Sequence, residues 1–345
     1  MTQPAPDYRW KLLPAAELAR HRDAWDELLG KTCRHAFLSS GFLLQALKDF
    51  AQGDELLAVA STADGWLAAA IVKPRGWGRW ASFQPSQLPL GPVLATPGTD
   101  ITHLAQSLRR ALPGPALALG LTQLDEDLFP PPAPSEGLKV LPYIQTAWVD
   151  VDRPFDTYWE ERGKNLRQNT RKQRRKVEAS GSLPRLECLQ AEADVAGAVA
   201  EFGVLEASGW KAEAGTAIDE QNVQGQFYRG ALAEAARGGQ LRIYRYRFGD
   251  EVVAMDLCVT QRDSIVILKT AYHTAHQAVS PSTLMREEQF KALFEEGRFK
   301  RIEFFGRIME WHTRWTENAR GLYHLTTYRW TWLPKLLAAL NRSAA

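Results

Sequence analysis

The stretch that decides the fold runs from residue 240 to residue 306 and reads QLRIYRYRFGDEVVAMDLCVTQRDSIVILKTAYHTAHQAVSPSTLMREEQFKALFEEGRFKRIEFFG. Its three apolar segments are separated by short turns at Gly249-Asp250 and Arg262-Asp263. Such punctuation is typical of antiparallel strands joined by tight connections. We therefore predict three consecutive strands, and a fourth strand over Arg301–Gly306 beside the one that ends near Ala271.

A loop of small residues follows the third strand, from Gln277 to Ser282, and opens a helix at Thr283. The first turn of a helix carries unpaired backbone N–H groups, and the helix dipole places partial positive charge there. A strand, a small-residue loop and a helix start therefore predict an anion site that suits a phosphate group.

This order of elements is similar to the acyl-CoA-binding half of the GNAT acyltransferases. The loop of that family follows the pattern Gln/Arg-x-x-Gly-x-Gly/Ala, and here Gln277, Ser280 and Ser282 take its positions, with serines where the family has glycines. The resemblance implies that acetyl-CoA is the acyl donor and that no metal is needed. It assigns the donor site to these residues and to their neighbours Thr270, Ala271 and Thr283.

Composition agrees with a soluble globular protein, since 45% of the residues are hydrophobic and 24% are charged. A chain of 345 residues exceeds one ordinary domain. We expect an α/β protein with two GNAT-like (acyl-CoA N-acyltransferase) domains in tandem, each a mixed twisted sheet flanked by helices. Residues 1–152 would form a degenerate first domain, and residues 153–345 would carry the donor site.

Charge and cysteine content restrict the partners, the metal sites and the compartment that can be expected. The net charge of +2 implies no bulk electrostatic partner, and three scattered cysteines fit neither a disulfide framework nor a zinc site. The N-terminal residues lack the apolar core of a signal peptide, and no apolar run has the length of a membrane helix. We therefore expect a cytoplasmic protein with no transmembrane segment.

Three segments resemble the CelD/BcsL group within the FemAB-like branch of the GNAT superfamily. They are FDTYWEERGKNLRQNTRKQRRKVEASG at 155–181, SGWKAEAGTAI at 208–218 and GRIMEWHTRWTENARGLYHLTTYR at 306–329. That group is associated with bacterial cellulose and exopolysaccharide synthesis. The resemblance implies a sugar or small-molecule acceptor and association with the polysaccharide-synthesis machinery.

Polar residues inside apolar strands are candidates for chemistry, because an unpaired buried charge is costly. Lys269 and Asp256 interrupt two apolar strands. Lys269 contacts an anionic donor or substrate in one interpretation, and in the other it takes an edge position or forms a salt bridge with Asp256. Asp256 is a general base, a substrate anchor or the structural partner of Lys269. His273 is a candidate base near neutral pH, with Tyr272 beside it at the substrate cleft.

Two further segments supply candidates for the acceptor site. Trp210 could stack on a sugar ring while Lys211 binds an anionic group; the alternative is a helix end with a packing tryptophan. In the loop after the last core strand, a carboxylate and an imidazole are candidate bases, and two indoles suit carbohydrate or nucleotide recognition. These residues are Glu310, His312, Trp311 and Trp315. The alternative is a packed structural loop.

A single long helix is predicted over residues 155–180, and it is strongly basic between residues 162 and 176. A solvated helix explains this run without any partner. An anionic polymer, a lipid-linked precursor or an RNA acceptor stem are the alternatives, of which RNA is not favoured.

We expect an acetyltransferase that modifies an amine or hydroxyl group on a sugar intermediate of polysaccharide synthesis. One rival is a FemAB-like peptidyl transferase that takes aminoacyl-tRNA as donor. The other is a non-catalytic scaffold or regulator of polysaccharide synthesis.

Overall fold

A computed structural model describes residues 8–208, 218–219 and 222–335 of the protein. The chain divides into two compact units. Unit 1 takes the described residues up to Cys33, then Phe37–Thr146, and the described residues from Arg320 on. Unit 2 takes Arg34–Ala36 and Ala147–Ala319.

Thirteen strands form the sheets of the described residues. Their bounds are β1 Trp10–Pro14, β2 Leu56–Thr62, β3 Gly65–Pro74, β4 Arg79–Ser82, β5 Val93–Ala95, β6 Ala118–Asp125, β7 Leu138–Asp150, β8 Pro184–Leu189, β9 Leu241–Phe248, β10 Glu251–Gln261, β11 Ser264–Tyr272, β12 Arg301–Phe304 and β13 Ala319–Tyr328.

The α-helices lie between these strands. They are α1 Arg22–Thr32, α2 Ser40–Phe50, α3 Ile101–Ala111, α4 Phe155–Glu160, α5 Lys164–Ala179, α6 Glu192–Ala207, α7 Val223–Arg237, α8 Pro281–Glu296 and α9 Glu310–Thr313. Short 3-10 helices occur at Ala15–Arg20, Ala36–Leu38 and Thr274–Val279.

In unit 2 the strand order is β12-β11-β10-β9-β8, with the last residues of β7 paired antiparallel to β12. The pair β11–β12 is parallel, and the pairs β10–β11, β9–β10 and β8–β9 are antiparallel. The turns fall where the sequence predicts them, since Gly249 (φ 61°) and Arg262 (φ 55°) both adopt left-handed backbone. The predicted strands of residues 240–306 are thus confirmed.

Unit 1 repeats this plan with different residues. Its strand order is β1-β2-β3-β4-β6-β13, with β5 on β3. The pair β4–β6 is parallel and α3 lies between its strands in the chain, as α8 lies between β11 and β12 in unit 2. Each unit is therefore a mixed sheet with helices, and the predicted α/β fold is confirmed.

The bounds of the units differ from the predicted domains. The predicted boundary lay at 152/153 and the predicted second domain ran to residue 345, whereas the observed division falls after Thr146 and the residues from Arg320 on belong to unit 1. Pairing explains the second difference, because β13 lies antiparallel to β6 and its side chains Tyr323 and Leu325 join the core of unit 1.

The predicted long helix over residues 155–180 is instead two helices. α4 ends at Glu160 and α5 begins at Lys164, with Gly163 in extended backbone as the N-cap. The aromatic residues Phe155, Tyr158 and Trp159 of α4 pack into the core of unit 2.

Strand β11 is central in unit 2 and positions the site. Helix α8 packs on one face of it and α6 packs on the other. Coverage on both faces explains why Ser264–Ile267 read as an unbroken buried run and not as an alternating one.

Candidate active site

The parallel strands β11 and β12 part from one another midway along β11. Their pairing covers Ser264–Ile267 against Arg301–Phe304, and β12 ends there. Strand β11 continues to Tyr272, so Leu268–Tyr272 extend beyond the last residue of β12. The connections that leave the carboxyl ends of both strands therefore face a cleft, which is where open α/β sheets bind ligands.

The loop from β11 to α8 ends in an unusual residue. Ser280 adopts left-handed backbone (φ 49°, ψ 61°), a conformation that favours glycine. Ser280 thus adopts the conformation for which the family pattern uses glycine. Unlike glycine, it adds a hydroxyl group at this position. That hydroxyl oxygen accepts a hydrogen bond from the Gln173 amide Nε2 of α5 at 3.1 Å.

The first turn of α8 offers fewer donors than an average helix start. Pro281 is its first residue and has no N–H, and the N–H of Thr283 donates to the carbonyl oxygen of Ser280 at 2.9 Å. The N–H of Ser282 and the helix dipole remain to attract an anion. The helix begins at Pro281, two positions before the predicted start at Thr283.

A polar cavity of about 610 Å³ lies at this helix start. Three segments of unit 2 line it: the end of α4 and one face of α5, the start of α8, and the α9 region. Its polar lining side chains include Glu161, Arg162, Asn165, Asn169, Gln173, Ser280, Thr283, Glu310, Arg314 and Glu317. Carboxylate, amide, hydroxyl and guanidinium groups dominate this wall, so the cavity suits a hydrophilic ligand.

Two buried polar atoms near the cavity have no hydrogen-bond partner among the described residues. They are the hydroxyl oxygen of Ser282 and the amide oxygen of Gln173. Buried polar groups in proteins are nearly always hydrogen-bonded, so each unpaired atom calls for an explanation. Gln173 lines the cavity, and Ser282 lies next to the lining residue Thr283.

A buried ion pair joins α8 to the sheet of unit 2. Arg286 Nη2 donates to both carboxylate oxygens of Asp256 at 3.1 and 3.0 Å, and to Thr270 Oγ1 at 3.1 Å. Asp256 is wholly buried, which raises the pKa of its carboxyl group, while the charge of Arg286 opposes that shift. This pair fixes α8 to β10 and β11, so Asp256 is an anchor and not a free base.

The imidazole of His312 is also buried, with 4% of the residue exposed. Burial, helped by the charge of Arg286, lowers its pKa to about 4. Its Nδ1 accepts the backbone N–H of Met309 at 3.0 Å, and the Trp311 ring stacks on it at 3.5 Å. His312 is therefore neutral at pH 7 and holds the start of α9, instead of facing the cavity as a base.

Lys269 lies on the opposite face of β11 from Thr270. Its ammonium Nζ contacts Glu206 Oε1 at 3.1 Å and lies over the Tyr228 ring at 5.2 Å. The predicted ion pair of Lys269 with Asp256 is wrong, because Asp256 is opposite Thr270 and Lys269 is opposite Leu257 in the register of β10 and β11. Neighbouring register positions point to opposite faces of a sheet.

The other predicted residues divide between surface and core. Tyr272 is 38% exposed at the end of β11, and Gln277 is exposed in the 3-10 helix. His273 caps that helix, since its Nδ1 accepts the N–H of Ala275 at 3.2 Å. Ala271 is buried in β11.

Trp315 is instead a core residue, 2% exposed and stacked on Trp159. Its position in the core corrects the expectation that it contacts an acceptor. Trp210 and Lys211 lie outside the described residues. Of the predicted site residues, the cavity brings together Ser280, Thr283 and Glu310.

The sequence reasoning missed the face of α5 that lines the cavity. Asn165, Asn169 and Gln173 recur every four residues and form one stripe of amides on the helix. The surrounding arginines and lysines concealed this spacing, which was the signal available in the sequence.

The basic residues of α5 divide between an inward-facing side and an exposed side of the helix. Arg174 faces inward and contacts Glu287 Oε2 at 2.7 Å, whereas Arg171, Lys172, Arg175 and Lys176 are exposed on the outer face. The run is therefore a cationic stripe on one side of the helix.

Within residues 8–208, 218–219 and 222–335, no group of three or more His, Cys, Asp or Glu side chains could hold a metal ion. Across the same described ranges, every helix is too short or too polar to cross a bilayer.

A helix that connects two parallel, parting strands after an antiparallel trio is the arrangement of GNAT acyltransferases. Residues 164–340, more than half of the chain, match the family model described as "Acetyltransferase (GNAT) domain", and the chain belongs to this family. It is therefore an acyltransferase of GNAT type. No curated protein matches the sequence significantly.

Solved structures share the fold over almost the whole chain. The C-terminal domain (DUF2156) of a putative lysylphosphatidylglycerol synthetase from Agrobacterium fabrum is 12% identical, with a TM-score of 0.57 over 94% of this chain and 96% of that one. FemX is 7% identical, with a TM-score of 0.58 over 91% and 98%. A conserved protein of unknown function from Bacteroides thetaiotaomicron is 11% identical, with a TM-score of 0.58 over 93% and 100%. These likenesses concern the fold alone.

Proposed function

We propose that the protein transfers an acetyl group from acetyl-CoA to an amine or hydroxyl group of a sugar intermediate in polysaccharide synthesis. The observation that carries the proposal is the polar cavity of about 610 Å³ at the start of α8, beside the parting of β11 and β12. The segment resemblance to the CelD/BcsL group supports the pathway, and such a reaction would take place in the cytoplasm.

The donor fits the start of α8. The pyrophosphate of acetyl-CoA would receive the Ser282 N–H and the positive end of the α8 dipole. The part of β11 beyond Ile267, with which β12 does not pair, would offer backbone groups to the pantetheine amides.

The acceptor fits the remainder of the cavity. Asn165, Asn169 and Gln173 present amides, and Glu310 and Glu317 present carboxylates. Amide and carboxylate groups make paired hydrogen bonds with neighbouring hydroxyl groups, which suits a sugar ring. Few large apolar side chains line this cavity, so a long acyl chain or an aromatic acceptor would leave it poorly filled.

We assign the general base to Glu310. It lines the cavity with its side chain 84% exposed, whereas Asp256 and His312 are buried and engaged. In the step, the acceptor nitrogen or oxygen forms a bond to the acetyl carbonyl carbon and the C–S bond breaks. Glu310 takes the proton of the acceptor, the thiolate leaves, and the protonated Glu310 returns that proton to it to give CoA. Arg314 Nη2 contacts Glu310 Oε1 at 2.8 Å and orients the carboxylate.

The donor is tested by calorimetric titration with acetyl-CoA on the wild type and Thr283→Glu. A glutamate in the first turn favours the helix but repels a phosphate, so the variant should stay folded and bind at least about tenfold more weakly. The matched control is Thr102→Glu in the first turn of α3, which should bind normally. Equal affinity of all three proteins for acetyl-CoA would refute the placement of the donor at the start of α8.

The acceptor is tested by thiol release in a screen of amino sugars and neutral sugars, with Glu310→Gln as the variant. Loss of a general base lowers the rate by about 10²- to 10⁴-fold and leaves donor binding intact. Glu295→Gln on the surface of α8 is the matched control, since its carboxylate lies outside the cavity lining. An unchanged rate in Glu310→Gln would exclude it as the base.

A second candidate keeps the fold and changes the donor to aminoacyl-tRNA. The cationic stripe on α5 favours it, because Arg171, Lys172, Arg175 and Lys176 form one exposed face that could follow a phosphate backbone. Nucleic acid that co-purifies with the wild type but not with Arg171→Ala/Arg175→Ala would favour this donor. A protein that binds neither acetyl-CoA nor tRNA would be a scaffold or regulator.

A further inference from the structure

One end of unit 1 exposes tryptophans and arginines together. Trp77 is 91% exposed, and Trp330 and Trp332 are 42% and 52% exposed. Large exposed apolar side chains that cluster usually mark a binding surface. We name this the tryptophan patch: the turn Arg75–Arg79, the connection Pro113–Leu117 and the segment Arg329–Trp332.

Hydrogen bonds hold the three segments side by side. The N–H of Leu117 donates to the carbonyl oxygen of Gly78 at 2.7 Å. The N–H of Arg329 donates to the carbonyl oxygen of Leu117 at 2.8 Å, and its Nη1 donates to the Pro115 carbonyl oxygen at 2.7 Å. The patch is therefore a built surface within unit 1 and not a set of separate loops.

The turn that carries Trp77 holds it outward at a conformational cost. The turn reads Arg-Gly-Trp-Gly-Arg, and Trp77 itself has left-handed backbone (φ 52°), which disfavours a side chain with a Cβ. Glycine at this position would be unstrained. A strained residue that displays a fully exposed indole is the pattern expected of a binding residue.

The cations of the patch lack acidic partners. Arg75, Arg79 and Arg329 are exposed, and no ion pair involves them within the described part of the chain. The three segments contain no Asp or Glu, although Glu136 lies nearby, next to Gly137. The stacked rings of Trp330 and Trp332, 5.2 Å apart and 7° from parallel, lie beside the Arg329 guanidinium.

We propose that the tryptophan patch docks unit 1 onto the surface of an anionic lipid bilayer. Indole rings favour the headgroup region of a bilayer, where one edge is apolar and the other is wet. Arginines beside them would contact anionic headgroups. Trp77 lies on a tight turn and is 91% exposed, so its indole can enter a bilayer surface, whereas base stacking or sugar binding uses a groove or platform.

The test is sedimentation of the protein with large vesicles of phosphatidylcholine alone and of an equal mixture with phosphatidylglycerol. The wild type should bind the mixed vesicles, bind the neutral ones weakly, and dissociate as salt rises. Trp77→Gly should lower the partition coefficient about tenfold because an indole is lost from the interface. Arg75→Ala/Arg79→Ala should lower it about 25-fold, at roughly fivefold for each arginine.

Matched variants make the result specific. Leu183→Ala removes another exposed apolar side chain, 76% exposed in unit 2, and should leave the partition unchanged. Arg171→Ala/Arg175→Ala removes two exposed cations of α5 and should also leave it unchanged. Because glycine is compatible with the backbone at position 77, Trp77→Gly should unfold no earlier than the wild type.

Three outcomes would overturn the proposal. The wild type could fail to bind the mixed vesicles. The α5 variant could lose binding as much as Arg75→Ala/Arg79→Ala does. The protein could bind an RNA homopolymer through Trp77 and not the vesicles, which would assign the patch to nucleic acid.

Discussion

Replacing His312 by glutamine should flatten the dependence of stability on pH. The imidazole of His312 has its pKa lowered to about 4, chiefly by burial and then by the charge of Arg286. An unfolded histidine has a pKa of about 6.5. Between these two values the unfolded chain binds a proton that the folded chain excludes, so acid favours unfolding.

The size of the effect follows from the two pKa values. The contribution of His312 is fully present above about pH 6.5 and is lost as the pH falls toward 4. At about pH 5 the unfolded state gains about 2 kcal/mol from protonation that the folded state does not gain. The wild type should therefore lose about 2 kcal/mol more than His312→Gln between about pH 7.5 and pH 5.

The assay is urea unfolding at the two pH values, followed by hydrogen exchange of peptides from β12 and α9. These peptides report on unit 2 by itself, which avoids treating a chain of two units as one transition. His312→Gln also loses packing against Trp311, but that loss is the same at both pH values and cancels in the comparison.

His103→Gln on α3 is the reference for removing a histidine from unit 1. If the wild type and His312→Gln lose equal free energy of unfolding on acidification, the imidazole is protonated in the folded protein and its assignment as a buried neutral group is refuted.

Two further predictions concern stability. In α6, Gly197→Ala should raise the free energy of unfolding by about 0.5–1 kcal/mol, because a Cβ there meets nothing within 4 Å. Gly203→Ala on the same helix should lower it, because its Cβ would come within 2.5 Å of a backbone carbonyl oxygen; similar thermal shifts in the two variants would contradict this. Asp256→Ala should cost about 3–5 kcal/mol by leaving Arg286 buried without its carboxylate. Glu310→Ala, which breaks an exposed pair, should cost at most about 1 kcal/mol in the same urea titration.

The hairpins, and the helix start to within two residues, could be predicted because local residues dictate them. Gly249 and Asp250 favour a tight turn whatever surrounds them, and the small residues before Pro281 stop a strand and start a helix. The break between α4 and α5 escaped prediction, because one glycine at 163 stands inside a run of charged residues that all favour helix.

The pairing of buried charges could not be predicted, because it depends on register. Asp256 and Lys269 lie on neighbouring strands, and one position of register separates an ion pair from two residues on opposite faces. Arg286 is separated from Asp256 by thirty residues and belongs to a different element, so only the packing of α8 reveals the partner.

The place of β13 in unit 1 has a consequence for biosynthesis. Strand β6 lies between β4 and β13, and Tyr323 and Leu325 of β13 complete the core of that unit. A ribosome releases the N-terminal part of the chain first, yet this part leaves β6 as an open edge until residues 319–328 emerge. Synthesis proceeds at roughly 5–20 residues per second, so the time between the synthesis of Thr146 and that of the end of β13 is on the order of ten to forty seconds. Unit 2 is complete once Ala319 has emerged, and the rest of β13 follows it, so the half of the protein that is made first should be finished last.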